Sequence, residues 1–520
     1  MQKEENMKKK ENKNVIVVMA DTLQYDYLGC YGNDWIRTPN YDRFALQSTL
    51  FENCYADALP TVPCRRSMLT GRYTLPFVGW APLLPEDTTI SDILWGTGVQ
   101  TALVFDTAPM RLPKYGFNRG FDYVKFSHGQ ELDTQYFEND QLFGFNPDDF
   151  IEERSTKGID PAIVESLKSE LESLLKHRQH WRSDGDSQVA TVMKDSMKYL
   201  EEEVDRTKPF FLWVDSFDPH EPWDPPSVWD PDMDYLYDPG YKGKDQIVPI
   251  PGIIGDRFTE KELHHIRMLY AEKVTLVDKW VGKLLDKVRE LGFWDNTLII
   301  LTSDHGQPLG NGKYGHGLMR KFRPWPYEEM AHVPCLVRAP GTDEGKRVKS
   351  FIQTCDVGPT VLDWLGYMKK SDEAREGFKL KSTLSADDMT GKSILPLTAG
   401  ESDKIRDFAI SGFYGFSWTI VTDDYSYVHW LPNKCESTEE AIKMVYDSGG
   451  MDGGEATKDL QNDDMWTCTP HSEIAIPEKD EMYDRREDPY QLQNIIGKKP
   501  EEAKELLRKL RLFIGELRTL

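Results

Sequence analysis

A short run at residues 61–72, TVPCRRSMLTGR, combines a hydroxyl and an arginine with the features of a short helix. Pro63 fits a first helical turn, where a missing N–H costs nothing, and Gly71 stands where a helix ends. We therefore expect Thr61 just before the helix N-terminus, where free N–H groups and the helix dipole stabilise an anion. Arg65, one turn later, can reach back to the same point. A hydroxyl and an arginine in that place could attack an anionic ester.

Two apolar runs are each followed by residues of types that bind metal ions. Residues 15–19 (VIVVM) precede Asp21, and residues 297–301 (TLIIL) precede Asp304 and His305. Continuous apolar runs are typical of buried parallel strands, whose carboxyl ends meet at the sheet edge where ligands bind. We predict that Asp21, Asp304 and His305 hold one divalent ion, with a helix cap as the alternative role for Asp21. Carboxylates with an imidazole favour Mn²⁺ or Zn²⁺, and Ca²⁺ or Mg²⁺ are the alternatives.

Two further polar residues follow apolar strands. His220 comes after the apolar run 209–214, and nearby prolines hold it in a stiff turn. Thr107 comes after the apolar residues 101–105, on the same edge as Asp21 if the sheet is parallel. A substrate contact and a helix cap are both open for Thr107. A lone loop histidine would by itself indicate little about function.

Composition and charge narrow the class of protein. The chain has 520 residues, of which 39% are hydrophobic and 12% aromatic, as in soluble globular proteins. Its net charge is -24, from 63 basic and 87 acidic side chains, which argues against a nucleic-acid partner. A small anionic substrate would then need a local basic pocket, which Arg65 could begin to build.

The cysteines and the apolar segments give no sign of export or membrane insertion. Seven cysteines are scattered without metal-site spacing, so a disulfide framework is not expected. No stretch approaches the 18 consecutive apolar residues of a membrane span, and residues 1–14 are charged. We expect a cytoplasmic protein without a signal peptide.

The order of strands and helices predicts an α/β protein. Several apolar strands end in polar residues with helices between them, among them a long amphipathic helix at 267–291 and a shorter one ending near Phe51. For residues 14–398 we predict a catalytic domain with a large mixed, mostly parallel sheet sandwiched by helices. Residues 128–205 are predicted to be a helical insertion. Residues 399–520 are predicted to form a smaller α+β subdomain with an antiparallel sheet and a terminal helix.

The run that contains Thr61 resembles the signature of the sulfatase family, within the alkaline phosphatase superfamily. The signature reads Cys or Ser, any residue, Pro, any residue, Arg and, further on, Thr-Gly-Arg. Sulfatases oxidise the first residue to formylglycine, whereas this chain has Thr61 there, and the spacing excludes Cys64 as a substitute. Thr22 stands where sulfatases usually have the second of two adjacent Asp residues. The positions that fit the frame are Thr61, Pro63, Arg65, Thr70, Gly71 and Arg72.

The resemblance covers about residues 14–497 and implies roles for further residues. The pattern His-x-Pro-aromatic matches at His220, which would contact a sulfate or phosphate oxygen and could protonate the leaving group. Lys321 would neutralise a substrate oxygen, and His316 could also donate a proton to the leaving group. A surface lysine and a loop histidine are the alternatives for these two. A further match, at 481–494, is typical of sulfatase C-terminal subdomains.

The departures from the signature favour phosphorus chemistry. The Asp304–His305 pair and a hydroxyl at Thr107 match phosphonate monoester hydrolases and related phosphodiesterases. Formylglycine releases sulfate by collapse of a hemiacetal, an exit that an ordinary threonine sulfate lacks, whereas a phospho-threonine can be cleaved at phosphorus. We therefore predict a metal-dependent phosphodiesterase or phosphonate monoester hydrolase, with the metal ion also contacting the nucleophile Thr61. Arg65 would bind the non-bridging oxygens.

Three other functions stay open. The chain could be a sulfatase by another chemistry, a phosphotransferase or mutase, or a non-catalytic binder of sulfated or phosphorylated glycans. The expected partner is a small anionic ester, free or carried on a glycan or lipid head group, and homo-oligomers are compatible with the sequence.

Overall fold

The computed structural model describes residues 12–130, 133, 140–321, 325–342, 344–368, 386–414, 416–431, 479–517 and 519. Most of the charged N-terminal stretch and residues 432–478 of the predicted C-terminal subdomain lie outside these ranges. The strands are β1 Asn14–Ala20, β2 Thr49–Tyr55, β3 Gln100–Phe105, β4 Tyr123–Phe126, β5 Phe210–Ser216, β6 Gly252–Ile253, β7 Thr297–Thr302, β8 Leu309–Gly310, β9 Leu318–Met319, β10 His332–Val333, β11 Cys335–Arg338, β12 Lys346–Gln353, β13 Ala409–Phe413, β14 Ser417–Val421, β15 Tyr425–Trp430 and β16 Glu481–Asp484.

Helices connect these strands and cover the main sheet. Among the described helices, none has the length and apolar character needed to cross a lipid bilayer. The helices are α1 Pro39–Ala45, α2 Thr61–Thr70, α3 Ile90–Leu94, α4 Ala108–Arg111, α5 Pro161–Arg178, α6 Gln188–Lys198, α7 Pro226–Trp229, α8 Glu260–Glu290, α9 Glu328–Ala331, α10 Val357–Leu365, α11 Leu395–Ala399 and α12 Pro500–Leu517.

The main sheet is mixed and mostly parallel, as predicted. Its strand order is β10-β2-β11-β7-β1-β5-β3-β4, with β12 beside β2. Strands β7, β1, β5, β3 and β4 run parallel to one another, and β11 runs antiparallel to β7 and β2. The central strand β1 therefore has parallel partners on both sides.

Both faces of the sheet are buried, which explains the unbroken apolar runs. Ile16 and Val18 pack into one core with α6 and α8, whereas Val15 and Val17 pack into a second core with α2 and α10. Successive strand residues point to opposite faces, so a strand covered on both sides must be apolar at every position.

The second sheet is small and antiparallel. Its order is β13-β14-β15-β16, and α12 packs against β14 and β15. This matches the predicted antiparallel sheet with a terminal helix, and the boundary at residues 398 and 399 stays a prediction. The sheet adjoins the segment before Thr61, because Leu59 N donates to Gly412 O at 2.9 Å.

Two helix boundaries differ from the prediction. The helix expected to end near Phe51 ends at Ala45, because the following residues form β2, which pairs with β11 and β12. The long helix begins at Glu260 instead of residue 267. Thr259 caps it, accepting from Glu262 N at 3.2 Å while the Glu262 carboxylate accepts from Thr259 N.

Candidate active site and metal centre

The ends of β1 and β7 bring three predicted metal ligands together. The two strands are parallel, with Met19 opposite Thr302, so Asp21 and Asp304 emerge at the same edge. One oxygen of each carboxylate and one ring nitrogen of His305 all lie within 4.8 Å of one another. Within the described ranges, no other group of three or more such side chains is close enough to hold a metal ion.

His305 directs its Nε2 atom toward this centre. Its Nδ1 donates to Gly306 O at 2.7 Å, which fixes the tautomer and leaves Nε2 as an acceptor or ligand. Nε2 lies 3.2 Å from Thr61 Oγ1 and 3.5 Å from Asp304 Oδ2. A neutral imidazole with its other nitrogen bound to a carbonyl is the usual form of a metal-ligating histidine.

Thr61 is the first residue of α2, where the sequence had placed it just before the helix. The first helical hydrogen bond runs from Cys64 N to Pro60 O at 3.1 Å, so Pro60 takes the cap position. The helix is buried along its whole length and ends, as predicted, at Gly71 with a φ of +63°. The Thr61 hydroxyl therefore faces His305 from a fixed backbone.

Arg65 lies among three buried carboxylates, named here the acidic cluster: Asp21, Asp215 and Asp304 around Arg65. Asp215 is bidentate, with Oδ2 3.0 Å from Nε and Oδ1 2.8 Å from Nη2. Asp304 Oδ2 lies 2.6 Å from Nη1 and Asp21 Oδ2 lies 2.9 Å from Nη2. The three carboxylates raise the pKa of Arg65 well above its usual value, although burial opposes this rise. The side chain therefore stays charged.

The sequence prediction had passed over Asp215. Its signal was the one that identified Asp21, a carboxylate at the end of a buried apolar strand. The strand order places β5 beside β1, which brings Asp215 next to Arg65.

The acidic cluster fits a divalent cation. Three carboxylates and one guanidinium leave two formal negative charges in a fully buried place. Arg65 Nη2 is close to Asp21, yet its angle does not make a hydrogen bond, and neither Asp21 oxygen accepts one from any described residue. Burial and the charge of Asp21 raise the pKa of Asp304 to about 6. Buried charges are normally paired or bound to metal, so a cation would satisfy both carboxylates.

His220 and Lys321 meet at the same edge of the sheet, a few residues beyond Asp215. His220 is buried, stacks on Phe217 with ring centroids 3.9 Å apart, and donates from Nδ1 to Glu221 O at 2.7 Å. Its Nε2 faces the Lys321 ammonium group. The structure thus brings together two residues that the sequence had connected only through family resemblance.

Thr107 and His316 both have protein partners. The Thr107 hydroxyl donates to Asp215 Oδ1 at 2.5 Å and accepts from Arg65 Nη2 at 3.3 Å, so it bridges these two side chains. His316 Nδ1 lies 3.0 Å from Glu329 Oε1, and its Nε2 lies 3.1 Å from Gln491 O. Protonating a leaving group would require His316 to give up one of these partners, and its predicted role stays a prediction.

The sulfatase family model matches residues 13–367, which is most of the chain. The chain belongs to the sulfatase family. Members of this family, in the alkaline phosphatase superfamily, are hydrolases that use a divalent metal ion, in agreement with the centre formed by Asp21, Asp304 and His305.

Known sulfatase-family proteins resemble this chain over much of its length. An arylsulfatase of Clostridium perfringens is 28% identical over 74% of this chain and 80% of its own length. An N-acetylglucosamine-6-O-sulfatase of Bacteroides thetaiotaomicron is 24% identical over 97% of this chain and 87% of its own. The phosphonate monoester hydrolase of Agrobacterium radiobacter has the same fold, with a TM-score of 0.64, 19% identity and coverage of 97% and 96% of the two chains.

The Cys64 thiol is poorly suited to act as a nucleophile in this sulfatase-family site. Its thiol donates to Asp304 O at 3.0 Å, and burial raises the pKa of the thiol well above its usual value. A thiol that stays protonated is a poor nucleophile. The hydroxyl of Thr61 is left as the group next to the metal ligands.

Proposed function

We propose that this protein hydrolyses phosphodiesters or phosphonate monoesters, with Thr61 as the nucleophile beside one divalent cation. The observation that carries the proposal is the 3.2 Å separation of Thr61 Oγ1 from Nε2 of His305, at the buried start of α2. The hydroxyl lies next to candidate metal ligands, and Arg65 Nη1 donates to the carbonyl oxygen of the same threonine at 3.3 Å. Mn²⁺ or Zn²⁺ suits this set of two carboxylates and an imidazole.

The proposed reaction uses few groups. A bound cation would lower the pKa of the Thr61 hydroxyl and supply positive charge at the reacting phosphorus. Lys321 binds a non-bridging oxygen and offsets the charge that develops on it, whereas Arg65, whose donors are held by buried carboxylates, contributes its positive charge without a direct bond to the substrate. As the bond from Thr61 Oγ1 to phosphorus forms, the bond to the leaving alcohol breaks and that alcohol takes a proton from His220. The proton that Thr61 gives up passes to solvent. Water then attacks phosphorus and returns one proton to His220 as the bond from phosphorus to Thr61 Oγ1 breaks.

His220 is a better proton donor than His316 in this scheme. Its Nε2 faces Lys321, the residue proposed to bind a substrate oxygen, whereas the two nitrogens of His316 face Glu329 and the carbonyl of Gln491. The Lys321–His220 pair therefore supports proton delivery at the place where the substrate oxygens would bind.

Sulfuric ester hydrolysis is the second candidate, because most of the named relatives are sulfatases. A substrate carried on a glycan would fit the name of the Bacteroides relative. The residue at position 61 counts against it. Oxidation of a threonine hydroxyl would give a ketone, because the carbon also carries a methyl group, and could not give the aldehyde of formylglycine.

A substrate panel with matched variants tests the proposal. We expect bis(4-nitrophenyl) phosphate or 4-nitrophenyl phenylphosphonate to be turned over faster than 4-nitrophenyl sulfate in the presence of Mn²⁺ or Zn²⁺. Thr61→Ala should lower kcat by about 10³-fold or more, as for other nucleophiles, and Thr61→Ser should restore part of the activity. Thr70→Ala is the control, since Thr70 lies on the same helix and donates to Arg66 O at 2.7 Å.

Each outcome of the panel separates the candidate functions. Faster turnover of the sulfate ester would overturn the phosphorus preference in favour of a sulfatase. Full activity of Thr61→Ala would exclude Thr61 as the nucleophile. Transfer to an added alcohol in preference to water would identify a phosphotransferase, and metal-dependent binding of phosphorylated or sulfated glycans without turnover would identify a binder.

A further inference from the structure

Asp215 holds Arg65 more firmly than the two carboxylates at the metal centre do. We propose that Asp215 is a positioning residue that sets how tightly the centre formed by Asp21, Asp304 and His305 binds its cation. The inference rests on the metal centre of the proposed function and does not depend on which ester is cleaved.

The Asp215 carboxylate is saturated with donors. Its Oδ1 accepts from Arg65 Nη2 at 2.8 Å and from the Thr107 hydroxyl at 2.5 Å. Its Oδ2 accepts from Arg65 Nε at 3.0 Å and from Trp213 Nε1 at 3.2 Å. An ionised carboxylate offers about four acceptor sites, so two donors from Arg65 and two from neighbours leave Asp215 little freedom to move.

Asp21 and Asp304 hold Arg65 differently. Each has a single close contact to the guanidinium, at 2.9 Å and 2.6 Å, and the Asp21 contact is not a hydrogen bond. Asp215 is therefore the fixed partner of Arg65. The other two carboxylates are the partners that the guanidinium would share with a bound cation.

This division of partners has a consequence for metal binding. With Asp215 ionised, the charge of Arg65 is already offset, and the two negative charges of Asp21 and Asp304 remain for a divalent cation. Without the charge of Asp215, the guanidinium would pair with Asp21 and Asp304 and compete with the cation for the same oxygens. Replacing a partner outside the ligand shell typically costs about 10–100-fold in metal affinity.

The test is a calorimetric titration of the metal-free full-length protein with MnCl₂. We expect Asp215→Asn to weaken Mn²⁺ binding by about 10–100-fold relative to the wild type. Circular dichroism and the thermal midpoint of each metal-free variant establish that the variants are folded.

Asp106→Asn is the matched control. Asp106 follows Phe105, which pairs with Asp215 across strands β3 and β5, and it is equally buried. Its carboxylate accepts from Phe217 N at 2.7 Å and from Gln130 Nε2 at 3.4 Å, with no contact to Arg65 among the described residues. Burial and the charge of Asp218 raise the pKa of Asp106 well above its usual value, which makes a neutral amide a closer replacement here than at an ordinary carboxylate. We expect Mn²⁺ affinity within about threefold of wild type.

A second variant keeps the test decisive if Asp215→Asn does not fold. Thr107→Val removes one donor from Asp215 without changing any charge, and we expect it to weaken Mn²⁺ binding by about fivefold. Equal affinity of Asp215→Asn and wild type, or an equal loss in Asp106→Asn, would overturn the inference. If Asp215→Asn cannot be measured, unchanged affinity of Thr107→Val would overturn it. A wild type that binds no Mn²⁺ would overturn the metal centre itself, whereas one that binds Mn²⁺ but cleaves no ester would overturn only the proposed function.

Discussion

Two clusters of buried charges lie at the same edge of the main sheet and differ in how they are neutralised. In the acidic cluster, Arg65 faces three carboxylates. In the second, named here the balanced cluster (Asp218, Asp224, Lys273 and Arg178), Lys273 Nζ lies 2.7 Å from Asp218 Oδ1 and 3.0 Å from Asp224 Oδ1. The Asp224 carboxylate also pairs with Arg178 Nε.

The pKa values of one carboxyl group in each cluster, Asp224 and Asp304, shift in opposite directions. Arg178 and Lys273 lower the pKa of Asp224 despite its burial, whereas burial and the neighbouring Asp21 raise the pKa of Asp304 to about 6. Burying a charge costs free energy unless a partner offsets it. The balanced cluster therefore supports the fold around His220, and the acidic cluster keeps an excess charge that a cation would offset.

The largest loss of stability is expected when a substitution removes one of the two basic side chains of the balanced cluster. Lys273→Met has a similar length and leaves Asp218 and Asp224 with one buried cation between them. Removing one partner of a buried ion pair costs about 3–5 kcal/mol. We expect the free energy of unfolding, measured with a denaturant, to fall by that amount. No loss of stability would mean that the balanced cluster is not structural.

A smaller loss of stability is expected when Asp304, in the acidic cluster, ionises as the pH rises. In the metal-free protein the folded state binds the Asp304 proton more tightly than the unfolded chain does. The contribution of Asp304 to stability is therefore present below about pH 4 and is lost as pH rises through about 6. The loss is on the order of 2–3 kcal/mol. Saturating Mn²⁺ should remove it, because a bound cation favours the ionised carboxylate.

Comparing the pH dependence of stability with and without Mn²⁺ separates the titration of Asp304 from that of other buried carboxyl groups. Burial also raises the pKa values of Asp57 and Asp278 to about 6, and their titration is common to both forms. Thermal midpoints between pH 4 and pH 6.5 should diverge as pH rises, with the Mn²⁺ form higher. Parallel curves would contradict the assignment of Asp304 to a cation site.

The smallest loss of stability is expected for a substitution on the exposed side of α8. Lys279→Met makes the same substitution as Lys273→Met, six residues along the helix. Lys279 is half exposed and pairs with Asp184 at 2.7 Å. Exposed ion pairs contribute about 0–1 kcal/mol, so the denaturant midpoint should hardly change. A loss as large as that of Lys273→Met would show that burial does not distinguish the two lysines.

The sequence was sufficient to predict the positions of those site residues that directly follow the ends of apolar strands. Asp21, Asp304 and His305 follow apolar runs, and the rule that parallel strands end at one edge was enough to bring them together. The mostly parallel sheet and the end of α2 at Gly71 were predicted from equally local patterns.

Other features depend on contacts that are distant in the sequence. The role of Asp215 follows from β5 lying between β1 and β3, an order that no local pattern specifies. The partner of His316 Nε2 is a carbonyl at Gln491, 175 residues away. The end of α1 at Ala45 reflects pairing of β2 with strands more than 280 residues later in the chain.

We infer that the excess charge of the acidic cluster serves metal binding at the expense of stability, and the Asp21→Asn variant is the sharpest test of this inference. Neither oxygen of Asp21 accepts a hydrogen bond from a described residue, so an amide of the same shape loses little besides charge. Titration of the metal-free proteins with Mn²⁺, together with their thermal midpoints, measures both effects.

We expect one Mn²⁺ per wild-type chain, at least about 100-fold weaker binding by Asp21→Asn, and a higher thermal midpoint for the metal-free variant than for the metal-free wild type. Unchanged Mn²⁺ affinity, or a loss of stability as large as that expected for Lys273→Met, would contradict it.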